Sequence, residues 1–175
     1  MKNLTPPVAF KNNNNLFSED GFSIIYKNYT EILNSISLEN LDTYAISSVI
    51  LKEFFLENIM PNPSDLENKI CDKTLMLIED TYTTYEAFKT KFIQAATSSF
   101  AYTTLLFEQR TKTLQIIPQN SPENNVIYGT YPILVLDNSE ITYALSYNKN
   151  KLEYINNFME NINWNVVSKR ITNIF

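Results

Sequence analysis

The apolar positions of this chain follow two spacings, one after the other. From Phe22 to Ile36 they recur at helical intervals behind Ser18-Glu19-Asp20, where a side-chain oxygen followed by two acids marks a helix start. A second helical pattern covers about residues 41–59, with Tyr44, Val49, Phe54 and Phe55 among its apolar members. It stops at Pro61-Asn62-Pro63, because proline cannot continue a helix. Ser64-Asp65-Leu66-Glu67 opens a third helix reaching about Glu79. Thr83-Thr84-Tyr85-Glu86 opens a fourth, which runs through Phe88, Phe92 and Ile93 to Ser98.

After Ser98 the spacing becomes that of strands. Ala101 to Phe107 and Thr113 to Ile117 are β-rich runs joined by the polar segment Glu108 to Lys112, which predicts a hairpin. Tyr131 to Leu136 is a third strand, and helices fit Glu140 to Ser146, Lys151 to Phe158 and Val166 to Ile171. The expected class is α+β: an N-terminal α-helical hairpin over residues 1–62, then an α/β lobe over 63–175 with a three-stranded antiparallel sheet. No internal repeat is visible.

Composition narrows what such a fold does. With 175 residues, 44% of them hydrophobic and 13% aromatic, the chain can fill a core of its own. Lys52 and Glu53 interrupt the apolar stretch from Tyr44 to Met60, so no segment approaches the ~20 residues of a transmembrane helix. The net charge of −5 and the scatter of the 14 basic residues argue against a DNA- or RNA-binding surface. Lys169-Arg170, an adjacent basic pair, is expected to be cations favouring a helix end. Two glycines are too few for a glycine-rich phosphate loop. The single cysteine, Cys71, excludes an internal disulfide and an all-cysteine metal site, and is expected to be a small buried or half-buried residue. Met1 to Pro7 has neither a secretory nor a transit-peptide pattern. The chain contains no histidine.

That absence matters because of the last third of the sequence. Tyr131-Pro132-Ile133-Leu134-Val135-Leu136-Asp137 leads into Asn138-Ser139-Glu140-Ile141-Thr142-Tyr143, and Asn161-Ile162-Asn163-Trp164 follows. Further segments are Leu4 to Phe10, Phe55-Leu56-Glu57-Asn58-Ile59, Tyr85 to Phe92, Ala95 to Phe100 and Pro118 to Pro122. Together they resemble the iron/manganese superoxide dismutases, whose Asp-x-Trp-Glu-His-Ala-Tyr signature aligns with Asp137 to Tyr143. The resemblance covers nearly the whole chain and implies the same order of elements.

It also implies where a metal centre would lie. The family holds its metal with three histidines and one aspartate, and these positions fall on Ile24, Lys52, Asp137 and Ile141. Asp137 alone keeps a ligating side chain; isoleucine has no lone pair to give, and an ammonium repels a cation. The family's tyrosine beside the substrate channel falls on Ile32, the tryptophan under the metal on Leu56, and the tryptophan before the Glu-His pair on Ser139. Gln119 matches the glutamine that hydrogen-bonds metal-bound solvent, and without a metal it is expected to be a loop amide. Glu140 matches the glutamate that reaches across the two-fold interface, but its histidine partner is Ile141, and the bridging histidine and tyrosine fall on Asn28 and Ala144.

The resulting expectation is a chain without metal or cofactor that is not an enzyme. It would serve as a structural or accessory subunit of a larger assembly, placed by the resemblance in a mitochondrion, in a respiratory-chain complex or the small subunit of the mitochondrial ribosome. Its partners would be protein subunits, among them another dismutase-like chain in a heterodimer. The alternatives are a dismutase with a metal site rebuilt from Asp137, Gln119 and Glu140 or Tyr143, and a decoy that pairs with an active dismutase. At the centre two arrangements stay open: Lys52 pairs with Asp137 and replaces the metal's charge, or Lys52 bends out to solvent while Asp137 caps the following helix.

Overall fold

Ser18 fixes the start of the first helix, α1 (Glu19–Ser35): its hydroxyl accepts from the Gly21 amide at 3.1 Å, and Glu19 and Asp20 fill the first turn. Phe22, Ile25, Tyr29 and Leu33 form its buried stripe. Opposite lies α2 (Thr43–Asn58), capped by Asp42 through the Tyr44 amide. Tyr29 donates to Glu53 Oε1 at 2.7 Å across the pair. The computed structural model describes residues 10, 16–36, 42–59, 69–122 and 129–174. The segment Leu4 to Ala9, the Pro61-Asn62-Pro63 stop and the Ser64 capping pattern lie outside these residues.

The third helix, α3 (Asp72–Tyr82), corrects the expected one. Residues 69–71 are not helical, and the helix runs on past Glu79 because Thr81 and Tyr82 are engaged by a strand. Cys71 stands at its N-cap and is exposed, against the expectation of burial, with Sγ 3.2 Å from Thr74 Oγ1. α4 (Tyr85–Ser98) starts at Thr84, which accepts from the Ala87 amide, and buries Phe88, Phe92 and Ala96.

Three antiparallel strands follow, β1 (Tyr102–Glu108), β2 (Thr113–Gln119) and β3 (Thr130–Asp137), in the order β2-β1-β3. β1 is buried along almost its whole length, as a central strand covered on both faces must be. β2 extends beyond Ile117 to take in Pro118 and Gln119, which an edge strand tolerates because its outward side needs no donor. A register shift between Leu105 and Leu106 sets Leu134 opposite the first and Pro132 opposite the second, a bulge beside the proline of β3. α5 (Glu140–Tyr147), α6 (Lys151–Glu160) and α7 (Trp164–Ile174) complete the chain. α7 begins two residues before Val166, where Asn163 Oδ1 accepts from the Val166 amide at 3.3 Å and Trp164 packs edge-on against Tyr85.

Side chains close both outer edges of the sheet. On β2, the Leu114 amide donates to Thr81 Oγ1 at 3.2 Å and the Leu114 carbonyl accepts from the Tyr82 hydroxyl at 3.3 Å. On β3, the Val135 amide donates to Asn58 Oδ1 at 3.0 Å, and the Ile133 carbonyl accepts from Arg170 Nη1 at 3.0 Å. Such closure removes the template that an open edge offers to another strand.

Arg170 is therefore not a simple helix-end cation. It also donates to Asn58 Oδ1, the Phe54 carbonyl and Glu57 Oε2, and its guanidinium lies 4.2 Å from the centre of the Phe54 ring. Its neighbour Lys169 faces solvent. Arg170→Leu strands buried acceptors on α2 and β3, so it should cost about 2–4 kcal/mol in urea unfolding. Lys169→Ala should stay within about 0.5 kcal/mol of the parent in the same measurement.

Candidate functional site

The centre is built where α2 crosses the end of β3. Lys52 lies in mid-helix on the buried face of α2 and is 2% exposed; Asp137, the last residue of β3, is 0% exposed. The Lys52 ammonium donates to Asp137 Oδ2 in a buried ion pair. The other carboxylate oxygen, Oδ1, accepts from the Ser139 amide at 2.9 Å and from the Ser139 hydroxyl at 2.5 Å, which aligns the chain entering α5. Of the two arrangements open from the sequence, the side chains adopt the pairing: Lys52 does not bend out to solvent, and Asp137 holds Ser139, the N-cap residue, rather than an amide inside α5.

Strand register brings in Tyr102, and helix packing Tyr154, which the sequence did not single out. Tyr102 lies opposite Asp137 on one side and Gln119 on the other, so the three occupy one row across the sheet and point to the same face. The Tyr102 hydroxyl donates to the Ser48 carbonyl at 3.5 Å, one turn of α2 before Lys52. Tyr154, from α6, is fully buried and donates to the Asp137 carbonyl at 2.8 Å, with Tyr143 stacked on it at 5.4 Å. Burial, and then the Asp137 charge, hold the phenols of Tyr102 and Tyr154 well above the ordinary tyrosine range. A fixed strand register would have been needed to find Tyr102.

Gln119 is a strand residue, not the expected loop amide, because β2 continues through Pro118. Its Oε1 accepts from Thr104 at 2.9 Å, and its buried Nε2 has no partner among the described residues. Asn138, on the opposite face, donates to Ser99 and Thr103 at 3.2 and 2.8 Å.

Two of the remaining candidate positions lie at the surface. Ile24 on α1 is 40% exposed and Ile141 on α5 is 45% exposed. Glu140, also exposed, forms an ion pair of 2.8 Å with Lys149 of the same chain. Leu56 and Ile32 pack in or against the core, while Asn28 and Ala144 are half-buried.

These donors do not fit an iron or manganese ion. Such an ion takes nitrogen and oxygen lone pairs, whereas this centre offers one carboxylate, already accepting at both oxygens, beside an ammonium. Among the described residues no group of three or more His, Cys, Asp and Glu side chains is placed to hold a metal.

Comparison with known proteins shows the family of the chain. The family model for the iron/manganese superoxide dismutases, C-terminal domain, matches residues 71–170, more than half of the chain. The chain belongs to the iron/manganese superoxide dismutases. It is 29% identical over 120 residues to superoxide dismutase (Fe) 1, chloroplastic, of Arabidopsis thaliana, covering 68% of this chain and 55% of that one. It is 29% identical over 115 residues to superoxide dismutase (Mn) of Haloarcula marismortui, covering 65% and 55%. The chain therefore spans a little over half the length of these relatives. Both are named as superoxide dismutases, and this overturns the expectation, drawn from the missing histidines, that the chain is not an enzyme: its relatives are enzymes by name. One of them is named chloroplastic, while neither name mentions the expected mitochondrion.

The tyrosines at the centre supply a test of its geometry. Their folded pKa lies above the unfolded value of about 10, so their contribution to stability is intact below that pH and is lost as the pH rises beyond it. In an absorbance titration between about pH 9 and 11, Tyr102→Phe should leave the native curve unchanged and remove one ionising tyrosine from the unfolded curve.

Proposed function

We propose that this chain is a dismutase-fold subunit of a larger protein assembly, and that it meets its neighbour through the face formed by α1 and α5. The observation that carries this reading is the exposure of large apolar side chains on two helices packed side by side. Ile24 on α1 is 40% exposed, and Ile141 and Leu145 on α5 are 45% and 52% exposed. The helices are held close, since Gly21 backs onto Ser146: a Cβ at Gly21 would come within 2.1 Å of the Ser146 hydroxyl. Ser18 and Ser146 hydroxyls also lie 3.1 Å apart. Burial of such side chains against a partner favours association.

The neighbour in this reading is another dismutase-like chain. Glu140, which the family resemblance would send across a two-fold interface, is paired with Lys149 of its own chain, and the position of its histidine partner is Ile141. A symmetric pair of copies would therefore lack that polar lock, whereas a different dismutase-like chain can supply the complementary groups. The net charge of −5 favours protein contacts over RNA. The host we propose is mitochondrial, a respiratory-chain complex or the small ribosomal subunit of that organelle.

Affinity purification of the tagged chain from its own cells, followed by identification of what comes with it, tests the reading. A dismutase-fold chain in about equal amount is the expected companion. Ile24→Glu combined with Leu145→Glu should abolish its capture, while each change leaves stability within about 0.5 kcal/mol, because both sites face solvent in the isolated chain. A chain that purifies without companions, or variants that capture the partner as well as the parent does, would refute the proposal.

A further inference from the structure

We propose that the Lys52 ammonium is a tethered replacement for the metal's positive charge, so that this dismutase fold closes its centre without iron or manganese. The inference stands apart from the assembly reading, since it concerns α2 and β3 rather than the α1 and α5 surface. Three observations carry it. The family resemblance places Lys52 and Asp137 at two of the positions that hold the metal, and their side chains meet in a buried ion pair 85 residues apart in sequence. Both carboxylate oxygens are engaged: Oδ2 takes the ammonium, and Oδ1 takes the Ser139 amide and hydroxyl, so a metal ion would have to compete with a positive charge already in place. The two other positions, Ile24 and Ile141, carry hydrocarbon and lie at the surface, so nothing there completes a ligand set.

The charge logic explains why a lysine is suited to this position. Asp137 sits at the end of a buried strand and its backbone carbonyl is held by Tyr154, so the residue cannot swing out to water without dismantling the start of α5. A buried carboxylate needs a positive partner, and leaving it without one is among the more destabilising changes a core can undergo. A lysine in mid-helix brings that partner on four methylenes, which pack against the apolar wall while the ammonium reaches the oxygen. In the family the positive partner is an ion that must be acquired; here it folds with the chain.

Stepwise removal of the two charges, with metal analysis, tests this. Lys52→Met keeps length and apolar packing but removes the charge, and should lower the folding equilibrium constant by about 100-fold or more, or prevent folding. Asp137→Asn combined with Lys52→Met removes both charges and retains an oxygen for Ser139, so it should fold and recover to within about tenfold of the parent. In parallel, the parent chain dialysed against excess Mn²⁺ or Fe²⁺ should retain less than about a tenth of an equivalent and melt at an unchanged temperature. One equivalent of either ion with a raised melting temperature would overturn the proposal. So would a Lys52→Met chain as stable as the parent, or a double variant no better than Lys52→Met alone.

Discussion

Asp137 is the point on which the arrangement of this chain turns. Its side chain receives α2 through Lys52 and the start of α5 through Ser139, while its backbone carbonyl receives α6 through Tyr154. Four elements are thus referred to one residue at the end of a central sheet. The burial that makes the carboxylate costly also makes its contacts selective, since each missing donor would leave charge in a medium that cannot solvate it.

A second clamp lies about two turns along α2. Asn58 holds the Val135 amide, Arg170 holds the Ile133 carbonyl, and Arg170 also reaches Phe54 and Glu57. α2 is therefore tied to β3 both at Lys52 and near its C-terminal end, which fixes its rotation as well as its position. Because the outer groups of β3 are spent on α2 and α7, the sheet stops at three strands on that side. On the other side Thr81 and Tyr82 do the same for β2, so the extra length of α3 and the closure of the sheet have one cause.

The order and type of the elements were legible because helical and strand spacing differ sharply, with the change to strands after Ser98 and the return to helices after Asp137. Boundaries failed where a tertiary partner extends an element: α3 runs to Tyr82 for the sake of β2, α7 starts at Trp164 because Tyr85 meets it, and β2 passes through Pro118 because it is an edge. At the centre, Lys52 and Asp137 were found from the resemblance, since no local pattern links residues so far apart. Tyr102 was missed because its place depends on register, which periodicity does not supply. Arg170 was misread because an interior arginine and an exposed lysine look alike near a helix end; the buried Val167 and Ile171 that flank it mark the inner side of α7. Cys71 was misread for the complementary reason, a small thiol being usual in a core but here standing at a helix start.

The four positions that the sequence resemblance assigns to the family's ligands lie in two environments, set by the elements that carry them. α2 and β3 are enclosed by other parts of the chain, so whatever stands at 52 and 137 must satisfy its charge internally. α1 and α5 form an outer layer, where an isoleucine costs little in the isolated chain and gains only when something covers it. The Glu140–Lys149 pair beside Ile141 is no obstacle to such cover. Both side chains are well exposed, and a surface pair of this kind is worth about 0–1 kcal/mol, little enough for an approaching partner to rearrange. A closed polar centre and an open apolar flank are therefore compatible in one small fold, because they are built on different helices.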